Sequence, residues 1–261
     1  MIFATLASIS LLVASAAASP TPVVAALAST STVYMRIEGP TKTIYEQTIH
    51  PTIENTLTNN GHTATCNGTP KTAAGVTSLV ALQETGQYFE ADWNGTTFGA
   101  VTKLNGTSNS ATKQWGSMFN NVGESGPNGG GLPEQGNGDG TNTEYEDFCY
   151  QTLPSGQHFL FAFFGDAEET SFLIMSGPKA ATVGSTVEYT IPYAPDGTYL
   201  NDLSVDTTTG QTVSGEYTGG GDSSTSTISI TFTKAGTYNM KAHCPSGSAC
   251  VRSNHVVTVV S

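Results

Sequence analysis

Between Thr32 and Val260 most of the chain is written in short runs of alternating apolar and polar residues, and each run is cut off by Gly, Pro, Asn or Asp. A two-residue period puts alternate side chains on opposite faces of a strand, and the punctuation forbids long helices. The first run, TVYMRIEG, meets a Gly39-Pro40-Thr41 turn and then KTIYEQTI. This is a hairpin in which Val33, Met35 and Ile37 face one way and Tyr34, Arg36 and Glu38 the other. Only Thr72 to Glu84, TAAGVTSLVALQE, spaces Ala73, Val76, Leu79, Val80 and Ala81 at helical intervals, with Gly75 weakening the pattern. Strand runs resume at QYFEADW, FGAVTKL, QWGSMF, YEDFCYQ, HFLFAFF and SFLIM, rich in the aromatics that suit a pleated surface.

The expected class is therefore mainly β. At 261 residues the chain suits two domains, and Gly177-Pro178 marks a change of pattern. After it come STVEYTIPY, LSVDT, TSTISITFT, GTYNMKAHC and CVRSNHVVTVV, strands joined by Gly, Asp and Ser turns with no helical period. Residues 177–261 are expected to form a small immunoglobulin-like β-sandwich. Residues 32–176 form a β-rich domain with one helix. Within the latter, residues 121–143, NVGESGPNGGGLPEQGNGDGTNT, carry almost no apolar side chain and make a long exposed loop.

Charged residues are only 11% of the chain against roughly 25% in average soluble proteins. Nine Lys and Arg against 21 Asp and Glu give a net charge of -12, which repels phosphate backbones and argues against nucleic acid as a partner. Residues 1–18, MIFATLASISLLVASAAA, are apolar and end in small residues, and Ala16 and Ala18 fit a signal-peptide cleavage before Ser19. Ala26-Leu27-Ala28 offers a second cleavage point. A membrane anchor is the competing reading, but the run lacks basic flanks, so no stable span is expected. Asn67, Asn94 and Asn105 each begin an Asn-Gly-Thr sequon, which suits N-linked glycans on a secreted protein; Asn-Gly also marks turns for backbone reasons. In an oxidising compartment Cys66, Cys149, Cys244 and Cys250 are expected to be bridged. Three pairings are open. The five residues between Cys244 and Cys250 favour a local bridge, leaving Cys66 for Cys149.

Two sets of motifs resemble known families. VYMRIEGPTKTIYEQTI, the following helix, KQWGSMFNN and SGQHFLFAFFGD together resemble the transcobalamin C-terminal-like β domain, an extracellular module. The tail AGTYNMKAHCPSGSACVRSNHVVTVV resembles the last strands of immunoglobulin-like domains of bacterial-type surface proteins. The resemblance implies an extracellular two-module architecture and no particular reaction.

Chemistry is sparse in the pattern. There is no G-x-S-x-G or H-E-x-x-H motif, and His50, His62, His158, His243 and His255 fall singly in different segments as surface or turn residues. Glu144, Glu146 and Asp147, and again Asp166, Glu168 and Glu169, cluster as glycosidase carboxylates do, but such clusters more often form a solvated rim. Asn137, Asp139, Asn142 and Glu144 alternate oxygen donors in a glycine-rich loop as calcium sites do, without EF-hand spacing. No other cofactor is expected. Trp93, Trp115, Tyr88, Phe89, Phe98 and Phe119 are either a platform for a sugar or corrinoid or, the better reading, core.

Residues 19–31 are an extended N-terminal segment, with an uncharged stretch SPTPVVAALAS in which Pro22, Val23, Val24 and Leu27 sit. An apolar thread of this type gains main-chain hydrogen bonds and apolar burial by adding to a sheet edge. A head-to-tail contact between copies need not close and therefore propagates. The expected function is a non-enzymatic extracellular structural glycoprotein that self-associates through this segment into a surface or secreted fibre. A monomeric module binding glycan or a small ligand is the alternative, and a carbohydrate-active enzyme is a third.

Overall fold

The structure is a computed structural model and describes residues 30–53, 56–68, 75–119, 134–135, 148–165, 170–191, 198–202, 214–216 and 226–261. In chain order the first unit comprises β1 (Val33–Glu38), β2 (Thr43–Ile49), β3 (Leu57–Asn59), β4 (His62–Ala64), α1 (Ser78–Glu84), β5 (Phe89–Trp93), β6 (Phe98–Leu104), β7 (Thr107–Ser108), β8 (Gln114–Phe119), β9 (Glu134–Gln135) and β10 (Gln157–Phe164). The second comprises β11 (Ser171–Phe172), β12 (Ala180–Ala181), β13 (Thr186–Ile191), β14 (Tyr199–Asp202), β15 (Ser214–Glu216), β16 (Ser226–Thr231), β17 (Gly236–His243), β18 (Cys250–Val251) and β19 (His255–Val260). The protein is mainly β with a single helix among the described residues.

The main sheet of the first unit has the order β2-β1-β10-β8-β9. The β1–β2 hairpin forms as its alternation and Gly39 turn dictate, with Val33 opposite Ile49 and Arg36 opposite Glu46. On its other side β1 runs parallel to β10, Arg36 opposite Leu160, a pairing between segments more than 120 residues apart. One face of this sheet presents Val33, Met35, Ile37, Phe159, Phe161 and Trp115 to a core closed by Leu79 and Leu82 of α1 and by Phe98, Val101 and Leu104 of β6. Two-residue turns tighten the small hairpins. Asn60-Gly61 joins β3 to β4 and Asn105-Gly106 joins β6 to β7, each with positive φ at both residues (48° and 77°, 45° and 84°), the geometry that matches strand twist.

The second unit is a sandwich. Sheet β12-β19-β17-β14-β15 lies against the β13–β16 pair, and Tyr189, Ile191, Ile228, Ile230, Tyr238, Met240 and Ala242 fill the space between. Leu173 and Met175 belong to this second core, so the polypeptide enters it before Gly177. Cys66 pairs with Cys149 and Cys244 with Cys250, at Cα separations of 4.4 and 5.6 Å.

Several expectations need correction. The helix starts at Ser78, not Thr72; Thr77 is extended (φ -104°, ψ 166°) and bridges Thr152, while Ser78 N–H donates to the Gln151 carbonyl, so strand-like pairing wins over helical spacing there. The YEDFCYQ run gives no strand at Phe148–Tyr150, which form a turn, with Phe148 and Cys149 buried by the disulfide and the core. SFLIM keeps only the two-residue β11, because its pairing partner β18 is equally short. Within the loop at 121–143, Glu134 and Gln135 pair with Ser117 and Gly116 as a short edge strand.

Candidate functional site

The largest departure from the sequence pattern is the polar face of the main sheet. Tyr34, Arg36 and Glu38 alternate away from the core, as the hairpin requires, yet Arg36 and Glu38 are only 5% and 1% exposed. The cause is the second unit. On β17 the core residues Tyr238, Met240 and Ala242 alternate with Asn239, Lys241 and His243, and this second row is turned to the first unit. Beside it, Leu160, Ala162 and Phe164 of β10 close an apolar contact with Val251, joined by Met118 and Phe172. Two sheets therefore share a buried seam.

Five charged groups meet in it. Lys241 Nζ, fully buried, donates to Glu38 Oε1 at 2.6 Å and to Glu46 Oε2 at 3.2 Å. Arg252 reaches Glu38 Oε2 through Nε at 3.1 Å and donates Nη2–H to the Gly39 carbonyl at 2.7 Å. Thr43 donates its hydroxyl to the same Glu38 carboxylate. Glu46 accepts from the His255 backbone N–H at 2.7 Å and lies 2.5 Å from His255 Nδ1. Each carboxylate of β1 and β2 is thus taken by cations and donors of β17 to β19. Charge-assisted bonds of this type in a low-dielectric seam are strong, and desolvation offsets much of the gain.

The electrostatics follow from burial. Burial alone would raise the Glu46 carboxyl, but the His255 hydrogen bond and the nearby Lys241 and Arg36 charges prevail and hold it at about 2. Desolvation lowers Lys241 despite its two carboxylates. Burial, with Arg252 and Lys241 nearby, brings the His243 imidazole down to about 4. His158 is lowered by burial and by Arg36.

Arg36 is the exception in this set. Its Nε lies 3.9 Å from Glu38 Oε1, too long for a hydrogen bond, and none of Nε, Nη1 and Nη2 has a hydrogen-bond partner among the described residues. Desolvation lowers it, against the raising influence of Glu38 and Glu46. The guanidinium nevertheless remains a cation. Beside it is a pocket of about 220 Å³ lined by Tyr34, Arg36, Glu46, Thr48, His158 and Asn254 among others. The Tyr34 and His158 rings stack 4.2 Å apart on its wall, and Tyr34, Gln47 and Thr48 are solvent-exposed around it.

Other expected sites lie elsewhere. Asn94 and Asn105 are exposed turn residues, and Asn67 is half-buried. Asn94 Oδ1 accepts the N–H groups of Thr96 and Thr97, so this sequon also serves its turn. Pro22, Val23, Val24 and Leu27, the calcium-type set Asn137, Asp139, Asn142 and Glu144, and both carboxylate clusters lie outside the described residues. The aromatic set does not form one platform: Trp115 is buried and donates Nε1–H to the Thr107 carbonyl, Phe89 and Phe98 are core, and Trp93 stacks on His62 at 4.8 Å. His158, His243 and His255, expected singly at the surface, converge on the seam. The available signal was scarcity: of nine cations in the chain, three, Arg36, Lys241 and Arg252, meet here. No family model, curated protein or solved structure matches the chain.

Proposed function

We propose that the protein is a secreted, non-enzymatic structural glycoprotein, the protomer of a surface or secreted fibre that assembles head to tail through residues 19–29. In this reading the first unit is of the transcobalamin C-terminal-like type and the second of the immunoglobulin-like surface type. The two disulfides suit an oxidising, extracellular compartment. No helix among the described residues is long and apolar enough to cross a membrane.

The observation that carries the reading is the edge of β2. This strand of seven residues, Thr43–Ile49, pairs with β1 on one side and with no strand on the other among the described residues. Edges of that length are normally protected by proline, lysine, a bulge or a covering element. TIYEQTI has no Pro, Gly or Lys, its one charge, Glu46, is engaged in the seam, and its register shift at Ile44 leaves Tyr45 to Ile49 in regular pairing. VVAALA is one residue shorter than β2 and carries no charge to oppose pairing. Thr30, the first described residue after the segment, bridges Thr52 just beyond the end of β2. The segment's eleven residues reach at most about 40 Å when extended, enough to reach a second copy. Burying its aliphatic side chains contributes several kcal/mol before ordering costs, at about 0.8 kcal/mol per CH₂.

Glycans on Asn94 and Asn105 fit this reading, because both residues are exposed and lie in turns of the β5-β6-β7 sheet, which does not contain β2. The test is electron microscopy and light scattering of the purified secreted protein. Intact protein forms extended assemblies, deletion of residues 19–29 leaves single particles, and a peptide of sequence SPTPVVAALAS added in excess shortens the fibres. A mature N-terminus downstream of Ala28, or intact protein that stays monomeric, overturns it.

A further inference from the structure

Two exposed features of the β5-β6-β7 sheet meet at one point, the Tyr88 ring and the Asn105 sequon. We propose that the first sugar of a glycan on Asn105 packs its apolar face on the Tyr88 ring, which makes this glycan a fixed part of the fold. The inference rests on the glycoprotein reading above and adds to it the surface that receives the sugar.

Register brings the two residues together. β5 and β6 pair antiparallel, with Phe89 opposite Leu104 and Glu90 opposite Lys103. Phe89 and Leu104 belong to the core. The next residues outward on the two chains are Tyr88 and Asn105, joined by the Asn105 N–H, which donates to the Tyr88 carbonyl at 2.8 Å. Both are exposed, and Tyr88, at 58%, is the most exposed large apolar side chain among the described residues. Asn105 opens the Asn105-Gly106 turn at φ 45°, a left-handed position that asparagine tolerates. Residues opposite one another on neighbouring strands hold their Cβ atoms about 4.5 to 5.5 Å apart. An N-glycosidic linkage adds only the side-chain amide before the sugar begins, so a sugar on Asn105 reaches the Tyr88 ring along the sheet surface.

The ring is held in place to receive it. The Tyr88 hydroxyl donates to Glu90 Oε1 at 2.6 Å, and Lys103 Nζ donates to the same oxygen at 2.9 Å while lying 5.7 Å from the ring centroid. The polar end of Tyr88 is thus satisfied, and its apolar area stays in water. A side chain already fixed loses little freedom when a second body packs on it. The complementary body is N-acetylglucosamine, through which N-linked chains are attached in a eukaryotic host. Its pyranose carries the substituents at the rim and C–H groups on the faces, which suits the face of an aromatic ring.

The other two sequons are placed differently. Trp93, beside Asn94, already stacks on His62 at 4.8 Å, and Asn94 Oδ1 is turned into its own turn by the Thr96 and Thr97 N–H groups. Asn67 is half-buried. Attachment at Asn105 joins Nδ2 to the anomeric carbon of a sugar carried on a lipid diphosphate. The bond from that carbon to the diphosphate oxygen breaks, its electron pair leaves with the diphosphate, and the amide gives one proton to a base of the host's oligosaccharyltransferase.

The experiment uses the full chain secreted from a eukaryotic host, with its glycans trimmed by an endoglycosidase to single N-acetylglucosamine residues and the occupancy of each sequon read by mass spectrometry. Thr107→Val removes the sequon and keeps Asn105 in its turn. Wild type, Thr107→Val, Tyr88→Ser and the double variant form a cycle read by thermal unfolding. Wild type carries the sugar on Asn105. Loss of the sequon lowers the melting temperature about 2 to 4 °C more in the wild-type background than in the Tyr88→Ser background, the shift that one aromatic contact gives a chain of this size. Tyr88→Phe, which keeps the ring, behaves as wild type. Should a variant fail to fold, the wild-type protein gives the same answer by nuclear magnetic resonance: the sugar C–H protons shift upfield under the ring and cross-relax with the Tyr88 ring protons. Sugar on Asn67 or Asn94 with Asn105 bare overturns the proposal and leaves the glycoprotein reading standing, whereas no sugar on any sequon removes both. Sugar on Asn105 with an equal loss in the two backgrounds, or with unshifted sugar protons, overturns the docking alone.

Discussion

Glu38→Gln is the substitution whose effect the seam determines most sharply. Glu38 is 1% exposed and holds Lys241 at 2.6 Å, Arg252 at 3.0 Å and the Thr43 hydroxyl at 3.2 Å. Glutamine keeps the shape and one acceptor oxygen but removes the charge, leaving Arg36, Lys241 and Arg252 with Glu46 alone. Breaking a buried pair by deleting one partner costs about 3 to 5 kcal/mol, since the abandoned cations stay out of water. With a urea slope near 2 kcal/mol/M this lowers the unfolding midpoint by about 2 M. Because the partners lie on different units, the second unit should also loosen from the first, and fluorescence of Trp93 and Trp115, both in the first unit, should separate from circular dichroism, which follows both. Arg36→Met makes the opposite change, deleting the unbalanced cation, and should leave stability unchanged or raise it. A loss below about 1 kcal/mol for Glu38→Gln, the value of a solvated surface pair, would refute the buried-seam argument. So would an equal loss for both substitutions.

Acid should unfold the protein in two stages. The folded Glu46 carboxyl sits at about 2 against 4.5 for the free group, so its contribution is complete above pH 4.5 and is lost as pH falls toward 2. It amounts to roughly 3 kcal/mol, and urea midpoints of Glu46→Gln should be lower at neutral pH and flat across that window. His243 sits at about 4 against 6.5, so the neutral ring is favoured in the fold, and stability present above pH 6.5 is lost as pH falls toward 4. His243→Phe should flatten that higher limb only. For the disulfides, loop-closure entropy over separations of 83 and 6 residues gives about 4 to 5 kcal/mol for Cys66–Cys149 and about 2 for Cys244–Cys250. Paired Cys→Ala variants in thermal unfolding should keep that order.

The candidate site was only half legible before the structure. Alternation placed Arg36 and Glu38 together on the face opposite Val33, Met35 and Ile37, and that is where they are. The alternation does not say what covers that face, since a charged row beside an apolar row is also what a half-exposed strand looks like. It carried no sign that Lys241, with 202 residues between it and Glu38, would cover it. Likewise His243 and His255 looked isolated because their neighbours lie on another strand or in the other unit. The helix is legible from its buried residues Leu79, Val80 and Ala81, but Val76, buried in extended chain ahead of it, carries the same spacing and places the start too early. Pairing of Thr77 with Thr152 is a contact no local window contains.

What the sequence determined was local. Two-residue alternation with glycine and asparagine punctuation committed the chain to short strands, and the five-residue spacing of Cys244 and Cys250 suited a bridge across one turn. Those features act through φ/ψ preferences and side-chain direction, which are properties of a few neighbouring residues. Tertiary structure decided which polar row is buried, which carboxylate meets which cation, and which guanidinium goes without. These depend on bringing β17 and β19 onto the face of β1 and β2. The energy of a charge is set by the dielectric and the partners around it, and those arrive from the far end of the chain.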